Sequence, residues 1–231
     1  MNTESGKGVS LIPSKSSWLR AAVTSIPMVG GALDHLIFDR ADEIRARNVE
    51  QAITSIQSRL NAIPEAMLDK AWFESEEALA MFRALIDKIQ FEPDLKKRES
   101  LSKVVAVSGA KDFSHDKRKL SILDHLNRLS FVQMKLLTIM AKLAPQQRNV
   151  GQEIVQSVNA LWGEQIIQAI KTNPYGQFWE GQLNVGLELQ VLEALNVIRR
   201  IQLISGGDSA FEVTDLGREA AKYFSTACEK S

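Results

Sequence analysis

The clearest candidates for chemistry lie within residues 112–125, "DFSHDKRKLSILDH", where imidazole and carboxylate side chains occur close together. Both groups bind divalent metal ions. The candidate ligands are Asp112, His115, Asp116, Asp124 and His125. Residues ten positions apart point to different faces of a helix, so His115 and His125 do not converge on one ion without another element. We therefore interpret the stretch as the solvated start of a helix and expect no metal site.

Two other features suggest catalysis but lack its usual context. Residues 6–10, "GKGVS", are similar to part of a phosphate-binding loop, but the upstream glycine and the preceding strand of such a loop are missing. The one cysteine, Cys228, lies three residues from the end of the sequence, and no serine stands in a nucleophile turn. We expect no catalytic residue, no cofactor and no enzymatic activity.

Basic residues form two clusters, at Lys96–Arg98 and at Lys117, Arg118 and Lys119. Both fall at predicted helix starts, where the positive end of the helix dipole disfavours cations. This unfavourable position makes each cluster a candidate binding surface for nucleic acid or an acidic partner. The simpler interpretation, a solvated helix face, is preferred.

Composition and charge describe an ordinary globular protein. The 231 residues suffice for one large or two ordinary domains with a hydrophobic core. The formal net charge is zero, so no overall attraction draws the protein to nucleic acid or anionic lipid. A single cysteine cannot form an internal disulfide bond, which favours the reducing cytoplasm as the location.

The first 38 residues combine a polar arm with an apolar segment. Residues 1–16 are polar and are expected to form a flexible arm. Residues 18–38 are apolar over about the length that spans a bilayer, but they include Arg20 and Asp34 and are interrupted at Pro27. Charges at bilayer depth are costly, so we prefer two buried helices joined at Pro27. Insertion of this segment into a membrane is the alternative.

Helical spacing of apolar residues dominates the chain up to residue 196. It predicts a long helix from Gly31 to Ile63 and another from Asn149 to Thr172. Side chains able to cap helix N-termini mark further helix starts. These are Ser75, Asp94, Ser114 and Ser130. The pattern predicts a helical bundle over residues 17–128 and a second domain over residues 129–231.

The spacing changes after residue 196. Ile201 and Leu203 alternate with polar residues, as do Phe211 and Val213, and period two is typical of strands with one buried side. Residues 206–208, Gly-Gly-Asp, tolerate the positive φ angles of a hairpin turn. Two paired strands are therefore predicted, followed by a final helix capped by Thr214.

A helix, a hairpin, a T-x-x-G turn and a closing helix together resemble the C-terminal part of winged-helix domains. The matching residues are Leu192, Leu195, Val197, Ile198, Val213, Thr214, Leu216 and Gly217. The resemblance does not extend to the bundle over residues 17–128. It implies a winged-helix-like C-terminal domain, residues 129–231, with one short β-hairpin. Together with the bundle predicted from helical spacing, the expected fold is mainly α: an N-terminal helical bundle plus this domain.

The resemblance also implies which helix would contact DNA bases. That helix, "LNVGLELQVLEALN" at residues 183–196, carries acidic Glu188 and Glu193, and its apolar face is predicted from Leu187, Val191, Leu195 and Ile198. The recognition helices of DNA-binding proteins present arginine, lysine, asparagine or glutamine to the bases. Basic residues occur only around it. They are Arg199, Arg200, Arg218 and Lys222.

Three functions follow as hypotheses. The first is a non-enzymatic protein-interaction or regulatory protein that contacts a protein partner, or a second copy, through Glu188, Gln190 and Glu193. The second is a nucleic-acid-binding regulator that uses the four basic residues around the helix together with Lys117, Arg118 and Lys119. The third is a membrane-acting effector that uses the apolar segment around Pro27.

Overall fold

The computed structural model describes residues 35–150, 156–173, 184–201 and 210–228. Over these ranges the protein is mainly helical, as the sequence predicts. The helices are α1 (His35–Ala62), α2 (Lys70–Phe73), α3 (Glu76–Ile89), α4 (Leu95–Ser108), α5 (Lys111–Ser114), α6 (Lys119–Arg128), α7 (Phe131–Lys142), α8 (Gly163–Thr172), α9 (Val185–Ala194) and α10 (Asp215–Cys228).

The predicted arm and most of the apolar segment, residues 1–34, lie outside the described residues. Within the part of the chain that is described, no helix is both long enough and apolar enough to cross a membrane.

Polar side chains start three of the helices as predicted. The hydroxyl of Ser75 accepts the backbone N–H of Ala78 at 3.2 Å, and Asp94 likewise accepts two backbone N–H groups of α4. Ser130 and Gln133 form a reciprocal capping box at the start of α7. These bonds satisfy N–H groups that have no partner within the helix.

The predicted cap at Ser114 is wrong. Ser114 is the last residue of α5, and α6 begins only at Lys119. The intervening turn is stabilised instead by Asp116, whose Oδ1 accepts the backbone N–H of Arg118 at 2.8 Å. The helix therefore starts four residues later than a cap at Ser114 would place it.

Helices α4 and α10 lie at the centre of the helical packing. α4 contacts α1, α3, α6 and α10, while α10 also packs against α6 and α7. One continuous cluster of buried apolar side chains extends from Ala52 on α1 to Ala227 on α10. The final helix is thus held between segments from the first and second halves of the chain.

The predicted helix from Asn149 to Thr172 is wrong over its first half. Residues 146–150 and 156–162 form two antiparallel strands, β1 (Gln146–Val150) and β2 (Gln156–Trp162), and only residues 163–172 are helical. The side chains of Ala160 and Trp162 pack in a small cluster with Ala210, while Leu161 joins the main core. This two-sided packing suits a strand, because successive strand residues face opposite sides.

The predicted hairpin is present and belongs to a larger sheet than expected. Strands β3 (Ile198–Ile201) and β4 (Ala210–Val213) are antiparallel, with Ile198 opposite Val213. β2 pairs with the other edge of β4, which gives the order β1-β2-β4-β3. The expectation of one short hairpin is therefore corrected to a four-stranded antiparallel sheet. Leu203 and the turn at residues 206–208 lie outside the described residues.

Backbone contacts around Thr214 attach α10 to the start of β3. Asn196 adopts a left-handed conformation with φ 58°, which turns the chain from α9 into β3. The backbone N–H of Thr214 donates to the carbonyl of Val197 at 3.1 Å, and its hydroxyl donates to the carbonyl of Asn196 at 2.8 Å. The same hydroxyl oxygen accepts the N–H of Gly217. The T-x-x-G sequence therefore joins strand and helix at one point.

Candidate functional site

The two arginines of β3, Arg199 and Arg200, are exposed but paired with carboxylates. Arg199 forms an ion pair with Glu212, its partner across the β3–β4 ladder. The Nε of Arg200 lies 3.3 Å from an oxygen of Glu193 on α9, and its guanidinium stacks over the ring of Phe211. The charge of each arginine is therefore balanced by an acid of the same surface.

Arg218 on α10 and Arg118 from the other predicted cluster are also paired with carboxylates. Arg218 pairs with Asp215 at 2.9 Å, one turn earlier on the helix. Arg118, from the other predicted cluster, forms an ion pair with Glu219. The ammonium of Lys222 lies 4.8 Å from the centre of the Phe113 ring, a cation–π distance. Lys117 lies exposed in the turn before α6.

Helix α9 packs through a different face from the predicted one. Leu189 and Leu192 are buried, whereas the side chain of Leu187 is 54% exposed and that of Val191 is half-buried. Residues three apart share a helix face, so the buried pair faces inward and Leu187 is turned away. The predicted inward position of Leu187 is thus wrong.

The predicted interaction residues lie on α9 in different settings. Glu188 accepts a hydrogen bond from the side-chain amide of Gln133 at 2.7 Å, which ties α9 to the first turn of α7. Glu193 balances Arg200, and Gln190 is exposed. The outward surface of α9 consequently presents an apolar and an amide side chain, Leu187 and Gln190, and the helix carries no lysine or arginine.

Lys119 is buried and does not belong to a basic surface, which corrects its assignment to one. Only 1% of its surface is exposed. Its ammonium donates to Glu77 at 2.9 Å and to the carbonyls of Ser114 and Asp116, both at 2.8 Å. These three bonds use all the N–H donors of the side chain.

The surroundings of Lys119 form a connected polar network. The indole N–H of Trp72 donates to the same oxygen of Glu77, and the ammonium of Lys119 lies 5.4 Å from the Trp72 ring centre. The hydroxyl of Tyr223 on α10 donates to Asp116 at 3.1 Å. We call these residues, together with Ser114, the Lys119 network. It links the segments before α3 and α6 to the last helix.

Burial raises the pKa of two groups on α10. The pKa of Tyr223 lies well above its usual value, first because the phenol is buried and second because the phenolate would face the Asp116 carboxylate. Burial also raises the pKa of the Cys228 thiol. A raised thiol pKa lowers the fraction of reactive thiolate at neutral pH.

His125 and Asp124, two of the candidate metal ligands, bond to other groups of the protein. Nδ1 of His125 lies 2.7 Å from the carbonyl of Ser121, one turn earlier, while Asp124 accepts from Lys88 on α3. The pKa of Asp69 is lowered, chiefly by a hydrogen bond from Ser114. Among the residues that the structure describes, no three His, Cys, Asp or Glu side chains gather closely enough to share a metal ion.

Local sequence gave little sign of the Lys119 network. Trp72, Glu77 and Tyr223 are distant from Lys119 along the chain, so only the packed fold brings them together. The one available signal was the unfavourable position of the Lys117–Lys119 cluster at a helix start. For Lys119 this placement is explained by bonds from its buried ammonium to carboxylate and carbonyl oxygens, so no bound nucleic acid or acidic partner is needed to account for it.

Comparison of the chain with protein-family models, with curated proteins and with solved structures finds no match. The class of protein is therefore given by its architecture, a mainly helical fold with a small antiparallel sheet.

Proposed function

We propose that the protein is a non-enzymatic interaction or regulatory protein of the cytoplasm, whose C-terminal half is a winged-helix-like domain that binds a protein partner through α9. One observation carries the proposal. Four arginines are available to contact nucleic acid, and each is paired with a carboxylate of the same surface. They are Arg118, Arg199, Arg200 and Arg218, with Glu219, Glu212, Glu193 and Asp215 respectively.

Paired arginines are poorly suited to phosphate. Each exposed ion pair is worth only about 0–1 kcal/mol. The pairing lowers affinity for nucleic acid by more than this value, because an arginine that turns toward a phosphate leaves its carboxylate facing the same polyanion. Neutralisation of phosphates by free cations is the main source of affinity for nucleic acid. The four arginines face four neighbouring acids and therefore contribute little to that source.

The outward surface of α9 has the composition of a protein interface. Leu187 is 54% exposed at its centre, with the exposed amide of Gln190 and the half-buried Val191 on the same helix. Protein interfaces commonly join an apolar centre to a polar rim that lacks unpaired charge. The helix also rests on rigid support, since Leu189, Leu192 and the bond from Gln133 fix it to the core.

Replacing Leu187 by aspartate is expected to abolish capture of the partner, because a charge at an apolar interface centre stays unpaired. The matched control is Leu79→Asp, since Leu79 is 53% exposed on α3. Affinity capture with full-length protein should retain a partner with the wild type and the control but not with Leu187→Asp. Equal retention by all three proteins would contradict a role for α9.

The wild type is expected not to retard duplex DNA or RNA in a gel, even at about 50 mM salt where non-specific binding is strong. Glu193→Gln combined with Glu212→Gln releases Arg200 and Arg199 and should confer weak, salt-sensitive retardation. The control, Glu74→Gln combined with Glu76→Gln, makes the same charge change at two exposed positions around α3. Retardation by the wild type that Arg199→Ala and Arg200→Ala remove would favour the nucleic-acid alternative instead.

A further inference from the structure

Helix α9 turns an uncharged strip of side chains outward, with a glutamate on either border. Leu187, Gln190 and Ala194 are exposed and lie on the same side of the helix, opposite its two buried leucines. We call these three residues the α9 strip. Around the helix, Glu188 stands about 100° to one side of Leu187 and Glu193 about 120° to the other. Any partner that covers the strip therefore comes close to a carboxylate at each border.

The two bordering carboxylates differ in the charge of their partners. Glu193 pairs with Arg200 on β3, whereas Glu188 bonds to the neutral amide of Gln133. An amide donates a hydrogen bond but brings no charge. Glu188 also lies in the first turn of α9, where the helix dipole supplies only about half an elementary positive charge. The border of the strip at Glu188 therefore keeps a net negative charge.

The elements that pack most closely against α9, which are β3 and α7, supply no cation for Glu188. Both arginines of β3 pair with other carboxylates. On α7, the ammonium of Lys135 lies 5.2 Å from the ring centre of Phe224 on α10. Lys142 is the last residue of α7, nine residues or about 14 Å beyond Gln133. Among the residues that the structure describes, no lysine or arginine pairs with Glu188.

We propose that α9 binds a basic amphipathic segment of its partner, in which an apolar side chain covers Leu187 and a lysine or arginine pairs with Glu188. This inference rests on the proposed role of α9 as a protein-binding surface and names the chemistry of the partner. Burial of an unpaired carboxylate is costly, so a partner without a cation at this point binds less tightly. A second copy of the chain does not meet the requirement through its own α9, because that helix carries no lysine or arginine.

Two synthetic helical peptides test this charge preference with the full-length protein. One carries a leucine face bordered by lysines, and the other has glutamate in place of each lysine. Fluorescence anisotropy at about 50 mM salt, where screening is weak, should show binding of the lysine peptide only. Glu188→Gln should weaken that binding about fivefold, and about 0.5 M salt should remove the difference. Glutamine keeps an oxygen that accepts the bond from Gln133, so the substitution removes only the charge.

The matched control is Glu76→Gln, because Glu76 is an exposed glutamate in the first turn of α3, and it should bind the lysine peptide like the wild type. Three results would overturn the inference: no preference of the wild type for the lysine peptide, unchanged affinity in Glu188→Gln, or an equal loss in Glu76→Gln.

Leu187→Gln separates this failure from failure of the proposed function, because it removes the apolar centre of the strip without adding charge. If Leu187→Gln abolishes binding of the lysine peptide and Glu188→Gln has no effect, α9 is the binding surface and only the charge of the partner is wrong. If Leu187→Gln leaves binding unchanged, the peptide binds elsewhere and both the inference and the role of α9 are wrong.

Discussion

Replacing Lys119 by methionine is expected to lower the free energy of unfolding by about 3 kcal/mol, because it breaks a buried, fully bonded ion pair. Methionine keeps the unbranched stem beside Trp72 and removes only the ammonium. The carbonyls of Ser114 and Asp116 and the carboxylate of Glu77 then lose their donor. The Glu77 side chain is 34% exposed and can recover water, so the expected loss lies at the low end for broken buried pairs.

Urea denaturation followed by tryptophan fluorescence measures this loss. The matched control is Lys117→Met, two residues earlier, where the side chain is exposed and the expected change is below about 0.5 kcal/mol. Charge and side-chain length change identically in the two variants, so their difference reports the contacts of Lys119. Equal stability of the two variants would show that the network around Lys119 contributes nothing to the fold.

The two lysines also show how far local sequence predicts a surface. Lys117 and Lys119 stand in one basic cluster, yet the first is exposed and the second has 1% of its surface exposed. The difference comes from Glu77 and Trp72, which reach Lys119 only when α3 packs beside α6. Sequence spacing identifies the cluster, but burial of one member depends on contacts between distant segments.

Three helix starts and the pairing of the last two strands were predictable because their causes are local. Ser75, Asp94 and Ser130 bond to backbone groups two or three residues away, and the alternation of β4 is visible within four residues. Strand β2 was missed because its pairing partners, β1 and β4, are separate in sequence and because Ile166 and Ile170 extend a helical spacing into α8. Tertiary pairing overrides local periodicity there.

The helix that carries the predicted interaction residues is present, but the contacts of those residues were not predicted. Glu188, Gln190 and Glu193 do lie on α9, but Glu188 bonds to Gln133 and Glu193 to Arg200. The exposed residue at the centre of the proposed partner surface, Leu187, was assigned to the interior by a spacing that also fits Val191 and Leu195. A helix rich in apolar residues on all sides offers more than one apolar face, and only packing selects between them.

Replacing Gly217 by alanine is expected to lower the free energy of unfolding by about 3 kcal/mol or to prevent folding. A Cβ atom at this position would lie 1.9 Å from the carbonyl oxygen of Val197 and 2.9 Å from its carbonyl carbon. Both atoms belong to the backbone, so no side-chain rotation relieves the clash. The backbone cannot separate easily, because the N–H of Thr214 donates to the carbonyl of Val197 and its hydroxyl donates to that of Asn196. Glycine therefore permits the close approach of α10 to β3.

Gly186→Ala in α9 provides the matched control. Its added Cβ atom would meet only the side-chain oxygen of Asn184, at an ordinary contact distance of 3.4 Å, and alanine favours the helix by up to about 1 kcal/mol over glycine. The same chemical change should thus lower stability at one position and leave or raise it at the other. Urea denaturation of both variants measures the difference. A Gly217→Ala protein as stable as Gly186→Ala would mean that α10 does not approach Val197 this closely, and the junction on which the winged-helix-like arrangement depends would be wrong.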